Sequence, residues 1–164
     1  MEFIDNLYDD KRPNVYREAC RGIIFKDNKL LMVYCEYFND YSFSGGGLEK
    51  DEDKIVCLKR ELEEELGVIV DNVKPFCELT EKTMSMYYYM HKLEKKNYFF
   101  TCDIVGEVES KLEDYEKEIF DKVEWFSILE IENLYKKEVE NVGKMIHKRD
   151  YFMINKAKEL GYFD

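Results

Sequence analysis

Hydrophobic and polar residues alternate in a way that predicts several strands in the first third of the chain. Residues 15–25 mix β-branched and aromatic side chains, which is typical of a strand. Asp27–Asn28 favour a turn, and Leu30–Cys35 are expected to form the return strand of a hairpin. A short segment, Tyr41–Ser44, then leads into three consecutive glycines at 45–47. Because regular elements rarely tolerate such a run, we expect a loop there.

After the glycines the spacing changes to that of a helix. Asp53 is a suitable N-cap, and Gly67 is typical of the residue that ends a helix. Between them, apolar residues recur at helical spacing and are predicted to pack on the core. These residues are Ile55, Leu58, Leu62 and Leu66.

The rest of the chain predicts further strands and two closing helices. Asp71–Asn72 indicate a turn, and the acidic residues 113–120 fit either a loop or a short helix. The order of elements predicts a mixed sheet with inserted helices, an α+β sandwich, in a single domain over residues 1–164. The further strands are expected at 73–80, 84–90, 98–108 and 123–127, and the helices around 128–138 and 142–160.

Composition argues against several classes of protein. A length of 164 residues fits one domain with one core. No run of about 18 apolar residues occurs, and the first residues lack the basic-then-apolar plan of a signal peptide. The five cysteines include no C-x-x-C pair, which favours reduced thiols over disulfides or a zinc site. We therefore expect a cytoplasmic protein that does not cross a membrane.

The net charge of -11 argues against a nucleic-acid backbone as partner, since Lys and Arg drive such binding. A small phosphorylated substrate stays compatible, because a bound divalent cation reverses the local field at a carboxylate cluster. The oligomeric state stays open, with a homodimer among the alternatives.

Three carboxylates of the predicted helix converge. Each residue of an α-helix is rotated by about 100° from the last, so Glu61, Glu64 and Glu65 lie within about 100° of arc, beside the apolar stripe. Glu63 points roughly the opposite way, into solvent. Convergent carboxylates repel one another without a cation, and their oxygens suit Mg²⁺ or Mn²⁺. The alternative is an ordinary surface helix, of which ELEEELG is equally typical.

Residues 46–68, GGLEKDEDKIVCLKRELEEELGV, resemble the signature of the Nudix family. That signature has Gly, five residues, Glu, seven residues, Arg-Glu, an aliphatic, any residue, Glu-Glu, any residue, Gly and an aliphatic. The match outweighs the surface-helix interpretation. Ser44 and Asp51 depart from the common family pattern of Pro and Gly, which alters loop shape without removing a ligand. The matching positions are Gly46, Glu52, Arg60, Glu61, Leu62, Glu64, Glu65, Gly67 and Val68.

The resemblance implies an α/β/α sandwich with a mixed central sheet. It also implies hydrolysis of a nucleoside diphosphate linked to another moiety, with Mg²⁺ or Mn²⁺ as the cofactor. The metal would be held by Glu61, Glu64 and Glu65, and a backbone carbonyl of Gly45 or Gly46 would add a ligand.

Two further roles follow from the resemblance. Arg60 would pair with a neighbouring acid and keep the helix face in shape. Glu52 would brace the loop rather than touch the metal.

The implied reaction is attack of water at phosphorus, with one glutamate taking the proton. The family does not fix that general base, which is a motif glutamate in some members and a downstream carboxylate in others. In the downstream acidic segment Glu118 is the first candidate and Glu116 the second. A solvated surface acid is an equally weighted interpretation of Glu118.

The substrate is left open among a nucleoside triphosphate, a nucleotide sugar, ADP-ribose and a dinucleoside polyphosphate. A non-catalytic nucleotide-binding module is the alternative function, and a structural calcium site ranks last. Several aromatic residues fit base stacking, although strand core is favoured for each. A charged hairpin tip is favoured for His91, Lys92, Lys95 and Lys96, with contact to outer phosphates as the alternative. The aromatic residues are Tyr37, Phe38, Tyr41, Phe43, Tyr87, Tyr88 and Tyr89.

Overall fold

The computed structural model describes residues 1–4, 8–35, 40–85, 91–112, 122–138 and 145–163. Strands and helices are numbered here in chain order within those residues. The strands are β1 (Glu2–Ile4), β2 (Asn14–Ile23), β3 (Phe25–Lys26), β4 (Lys29–Cys35), β5 (Asp40–Ser42), β6 (Val68–Met84), β7 (Lys92–Glu107) and β8 (Lys122–Ser127). The helices are α1 (Lys54–Leu66), α2 (Ile128–Glu138) and α3 (Met145–Glu159).

The strands form two sheets. The first sheet has the order β1-β6-β7-β2, in which β6 and β7 are antiparallel while β1 and β2 run parallel to their neighbours. The second sheet is antiparallel, with β4 paired to β3, β5 and β8. The prediction of a mixed sheet in an α+β fold is therefore confirmed.

Two apolar clusters lie on opposite faces of the first sheet. Successive side chains of a strand point to opposite faces, so Tyr98 and Phe100 of β7 join one cluster and Phe99 joins the other. The first cluster includes Leu58 and Leu62 of α1. The second cluster includes residues of α2 and α3. The sheet is thus covered by helices on both faces, which is the α/β/α arrangement.

The predicted hairpin at 15–35 differs from the structure. β2 ends at Ile23 and pairs along ten residues with β7, whereas only Phe25–Lys26 pairs with β4. The chain therefore passes from one sheet to the other at Ile24. The turn itself is confirmed, since Asp27 and Asn28 have φ values of 50° and 59°. Two consecutive left-handed residues match the twist of a tight hairpin.

The predicted turn at Asp71–Asn72 is an irregularity inside β6. The pairing of β6 with β7 shifts register between Asp71 and Lys74, and Asn72 has φ 52°. Asn tolerates this left-handed conformation, so the strand bulges and continues. β7 also begins at Lys92, six residues before the predicted start at Tyr98.

The remaining predictions divide into confirmed elements and one outside the described residues. Strand β8 and the two closing helices lie where the sequence predicts them. Of the strand expected near Met84–Met90, residues 86–90 lie outside the described part of the chain.

Among the helices that the structure describes, none combines the length and the apolar character needed to cross a membrane. Four cysteines are free thiols: Cys20, Cys57, Cys77 and Cys102.

Candidate active site

Helix α1 begins and ends where the sequence predicts. The Asp53 carboxylate accepts hydrogen bonds from the backbone N–H groups of Ile55 at 2.8 Å and Val56 at 3.3 Å. Gly67 is left-handed, with φ 66°, and its N–H donates to the carbonyl of Glu63 at 3.1 Å. Both ends of the helix are therefore fixed by local chemistry.

The buried side of α1 is rotated toward the acids. Leu58 and Leu62 are buried as expected, but Ile55 is 41% exposed, so its predicted place in the core is wrong. Cys57 and Glu65 are buried instead. The helix packs this side against β2 and the glycine loop, where Gly22 and the run at 45–47 allow a close approach. Glu61 and Glu65 consequently lie next to the glycine loop, while Glu64 stays open to solvent.

Glu61 depends on the glycine beside it. A Cβ atom built on Gly46 would lie 2.2 Å from Oε2 of Glu61, so any other residue would push this carboxylate out of its present position. The carbonyl of Gly46 accepts from the N–H of Cys20 at 2.9 Å. The carbonyl of Gly45 accepts from Nη1 of Arg21 at 3.2 Å. Each of the two backbone carbonyls predicted to bind the metal thus already accepts one hydrogen bond from a residue of β2.

Glu65 is held by the residue that departs from the family pattern. Ser44 Oγ donates to Oε2 of Glu65 at 2.5 Å, and the N–H of Gly45 donates to the same oxygen at 2.9 Å. Burial raises the pKa of Glu65 to about 7, while the Ser44 and Gly45 hydrogen bonds oppose that rise. Ser44 therefore orients a motif carboxylate, a role that a proline could not fill.

Arg60 connects the loop to the acids. Its guanidinium binds both oxygens of Glu52, from Nε at 2.9 Å and from Nη2 at 3.0 Å. Its Nη1 donates to Glu61 at 2.7 Å and to Glu64 at 3.2 Å, and Nη2 also donates to the carbonyl of Gly47 at 3.2 Å. The Arg60 hydrogen bonds lower the pKa of Glu52 to about 2.

The donor chemistry of α1 suits a hard divalent cation. Glu61, Glu64 and Glu65 offer only carboxylate oxygens, which Mg²⁺ and Mn²⁺ prefer. As placed here, no three His, Cys, Asp or Glu side chains within the described ranges are close enough to hold an ion. Arg60 supplies the positive charge between Glu61 and Glu64 instead. The Glu64 side chain is 43% exposed, so it is accessible to a ligand from solvent.

Several candidate residues of the sequence lie outside this constellation. Glu116 and Glu118 lie outside the described residues, as do Tyr37, Phe38 and Tyr87–Tyr89. Two described aromatic residues pack in the core, as favoured. Phe43 is buried against Phe99 with ring centroids 6.1 Å apart, and Tyr41 packs on Phe126 at 4.4 Å.

Sequence reasoning missed a buried polar network behind the glycine loop. Arg21 Nε donates to Oδ1 of Asn97 at 3.1 Å, and its Nη1 donates to the carbonyl of Phe43 at 3.0 Å. Asn97 Nδ2 donates to Glu81 Oε2 at 2.7 Å. Arg21, Asn97 and Glu81 are all buried. The available signal was Arg21, the single charged residue in the apolar second half of β2, since buried charges require partners.

Helix α3 completes this network from the other side. Arg149 pairs with Asp150 through Nε at 2.5 Å and Nη2 at 2.8 Å, and its Nη1 lies 3.6 Å from Glu81. The Asp150 carboxylate accepts from the N–H of Phe43 at 3.1 Å. Although burial opposes its ionisation, Glu81 keeps a pKa below the usual range because Arg149, Lys95 and Arg21 attract it. The network ties α3 to the residues that precede Ser44.

Comparison with known proteins identifies a family. The model of the NUDIX domain matches residues 15–148 of the chain. The chain is 30% identical over 136 residues to the mRNA-decapping enzyme subunit 2 of Saccharomyces cerevisiae strain YJM789, and equally to the m7GpppN-mRNA hydrolase of strain S288c. That similarity covers 80% of this chain but 12% of each yeast protein.

Solved structures show the same fold. A NUDIX hydrolase from Nitrosomonas europaea has a TM-score of 0.58 at 19% identity, covering 84% of this chain and 89% of that one. A MutT protein from Bacillus halodurans has a TM-score of 0.57 at 21% identity, covering 72% of each chain. At these identities the likeness extends to the fold alone.

Proposed function

The chain belongs to the Nudix family, and from this premise we propose that it is a metal-dependent hydrolase of a diphosphate linkage in a nucleoside diphosphate derivative. The observation that carries the proposal is the placement of Glu61 and Glu65 beside the glycine loop, with Glu64 joined to Glu61 through Arg60. Glu61 lies against Gly46, and Glu65 is fixed by Ser44 and Gly45.

The residues of α1 would hold the cofactor. Glu61, Glu64 and Glu65 would bind Mg²⁺ or Mn²⁺, with a carbonyl of Gly45 or Gly46 as a further ligand. Such an ion, when bound, acidifies a coordinated water and neutralises charge on diphosphate oxygens. The ligand set requires that Glu61 and Glu64 exchange their contacts with Arg60 for the ion.

The other residues position this set. Arg60 keeps its two-point contact with Glu52, which fixes the loop from Gly47 to the start of α1. Ser44 and the N–H of Gly45 hold Glu65 in one orientation. A glutamate takes the proton of the attacking water, either one of the helix acids or Glu118 from the downstream segment.

The choice of linkage is guided by the yeast relatives. One of them is named as a hydrolase of m7GpppN-mRNA, in which a polyphosphate joins two nucleosides. Similarity over 80% of this chain therefore favours a dinucleoside polyphosphate linkage among the four substrate classes. With a net charge of -11, the chain is not expected to gain affinity from an RNA backbone. We infer that an isolated cap dinucleotide and a capped RNA are cleaved with similar kcat/KM.

A substrate panel tests the proposal. Purified protein is incubated with a deoxynucleoside triphosphate, a nucleotide sugar, ADP-ribose, a dinucleoside polyphosphate and m7G-capped RNA, with Mg²⁺, Mn²⁺ or EDTA. Chromatography identifies the products, and ¹⁸O-labelled water locates the phosphorus that is attacked. The proposal expects cleavage of a diphosphate linkage that depends on metal and is lost in Glu64→Gln. Tight nucleotide binding with no turnover on any substrate would support the non-catalytic module instead.

A further inference from the structure

A cavity adjoins the candidate active site along the free edge of β2. It lies between the first half of β2 and the loop at residues 47–52, with a volume of about 990 Å³. Gly47 and Glu52 line it, and both of these residues contact Arg60. The cavity therefore shares a wall with the loop that Arg60 holds next to the acids of α1.

Two basic residues stand side by side on the sheet wall of the cavity. Arg17 of β2 and Lys95 of β7 are direct partners in the parallel pairing, and both line the cavity. On the other side Lys95 is paired with Glu81 of β6. Lys95 is thus in the interior of the sheet, so the interpretation of this residue as part of a charged hairpin tip is wrong.

Among the described residues, more positive than negative groups act on the charge of Lys95. Part of its side chain reaches solvent, but its ammonium end is largely buried. Burial and the repulsion of Arg21, Arg149 and Arg17 lower the pKa of Lys95 to about 8, against the attraction of Glu81. Lys95 forms no ion pair with an acidic residue of the described ranges, since the carboxylate of Glu81 is taken by Asn97 and Arg149.

The acidic residues of the cavity lie on the opposite wall or are already paired. Glu52 is held by Arg60, and Glu18 accepts a hydrogen bond from the hydroxyl of Tyr98. Glu49 and Asp51 are exposed at the rim. The cavity is therefore polarised, with a basic sheet wall that offers donors and positive charge to an anion.

We propose that Arg17 and Lys95 bind a phosphate group of the substrate other than the diphosphate that is cleaved. A phosphate offers a buried ammonium several acceptor oxygens and more negative charge than Glu81 alone supplies among the described residues. The inference rests on the proposed function, because it extends the substrate from α1 into this cavity. It adds a requirement to the substrate class, namely an additional phosphate beyond the reacting pair.

The direct test uses inorganic phosphate and pyrophosphate as probes. Isothermal titration calorimetry in EDTA measures their binding to the wild-type protein and to Lys95→Gln and Arg17→Gln. Each variant is expected to raise Kd by about tenfold or more, corresponding to the loss of a charge-assisted contact. Lys96→Gln is the matched control, because Lys96 points to the other face of β7 and pairs with Glu78 at 3.0 Å. Lys95→Arg keeps the charge and should retain most of the affinity, which separates loss of binding from misfolding.

Two results would overturn the inference. One is wild-type affinity in both Gln variants, and the other is the absence of saturable phosphate binding to the wild-type protein at millimolar concentrations. Because the titration involves no turnover, it is independent of the proposed hydrolysis. Phosphate binding that requires Lys95 in a protein that hydrolyses nothing would refute the proposed function and leave this site standing. Hydrolysis with an unchanged KM in Lys95→Gln would support the proposed function and refute this phosphate site.

Discussion

Arg60 donates hydrogen bonds to both carboxylate oxygens of Glu52, from Nε to Oε1 at 2.9 Å and from Nη2 to Oε2 at 3.0 Å. The pair spans eight positions of sequence and fastens the loop after the glycines to the middle of α1. Two parallel hydrogen bonds to a guanidinium fix both position and angle. The loop therefore adopts one path next to Glu61 and Glu64.

Replacing Glu52 by Gln tests this brace. The amide keeps the size of the side chain but loses the charge and one acceptor, so the loop is held less firmly. We expect kcat/KM to fall by about one to two orders of magnitude, the scale of a misplaced catalytic group. Circular dichroism should show an intact fold. Glu63→Gln is the control, since Glu63 lies on the opposite side of the helix, and wild-type kinetics in Glu52→Gln would contradict the role of the brace.

Removal of metal tests the chemistry assigned to α1. Three carboxylates on adjacent turns repel one another, and in this structure Arg60 stands between two of them. We expect hydrolysis to require millimolar Mg²⁺ or Mn²⁺ and to cease when EDTA is added. Full turnover in rigorously metal-free buffer would refute the mechanism.

The metal ligands can be tested one by one. Glu64→Gln removes a charged ligand from a side chain that is 43% exposed, so the fold should be unaffected. We expect kcat to fall by roughly two or more orders of magnitude. Glu63→Gln on the same helix should leave kcat close to the wild-type value. Activity is to be measured across a Mn²⁺ titration, and a Glu64→Gln enzyme with normal kcat at saturating Mn²⁺ would remove Glu64 from the site.

The sequence predicted where helix α1 begins and ends, but it did not predict which side of the helix is buried. Asp53 and Gly67 fixed both ends of α1 because caps depend on neighbours in the chain. The rotation of the helix was not predictable, because helical spacing defines a stripe but not its partner. Ile55 is exposed while Glu65 is buried, because Ser44 and Gly45 of the glycine loop cover Glu65.

The remaining differences come from contacts between distant parts of the chain. The parallel pairing of β2 with β7 joins residues about 78 positions apart, and no local pattern encodes it. The polar network of Arg21, Asn97 and Glu81 was hidden for the same reason. Its members lie on three strands that only the folded sheet brings together.

Asp150→Asn tests whether this network supports the glycine loop. The Asp150 carboxylate pairs with Arg149 and accepts from the N–H of Phe43, next to Ser44. Neutralising Asp150 leaves the buried Arg149 with only the more distant Glu81 among the described carboxylates, so we expect the free energy of unfolding to fall by roughly 3 kcal/mol. Urea unfolding measures this change. The control is Glu132→Gln, which breaks the partly exposed contact between Glu132 and Lys158 and should cost far less.

A variant of Lys95 should be more stable than the wild type. The pKa of this ammonium falls from 10.5 to about 8 on folding, so the folded state disfavours the charged form. The unfolded chain then binds more protons between these two values, and stability rises as pH increases from about 8 to 10.5. Below pH 8 the cost is constant and amounts to at most roughly 3 kcal/mol, less what solvent screens. Lys95→Met should recover much of it at pH 7 and lose that part of the pH dependence.

Thermal unfolding in the presence of phosphate tests whether Lys95 is a ligand-binding residue. Residues kept for a ligand commonly destabilise the free protein, because their charges await a partner. Millimolar phosphate should therefore raise the melting temperature of the wild-type protein and have little effect on Lys95→Met. Thermal unfolding at pH 7, followed with and without phosphate, measures both quantities. Equal melting temperatures of the two proteins without phosphate would show that Lys95 carries no such cost, since its charge would then already be compensated in the fold.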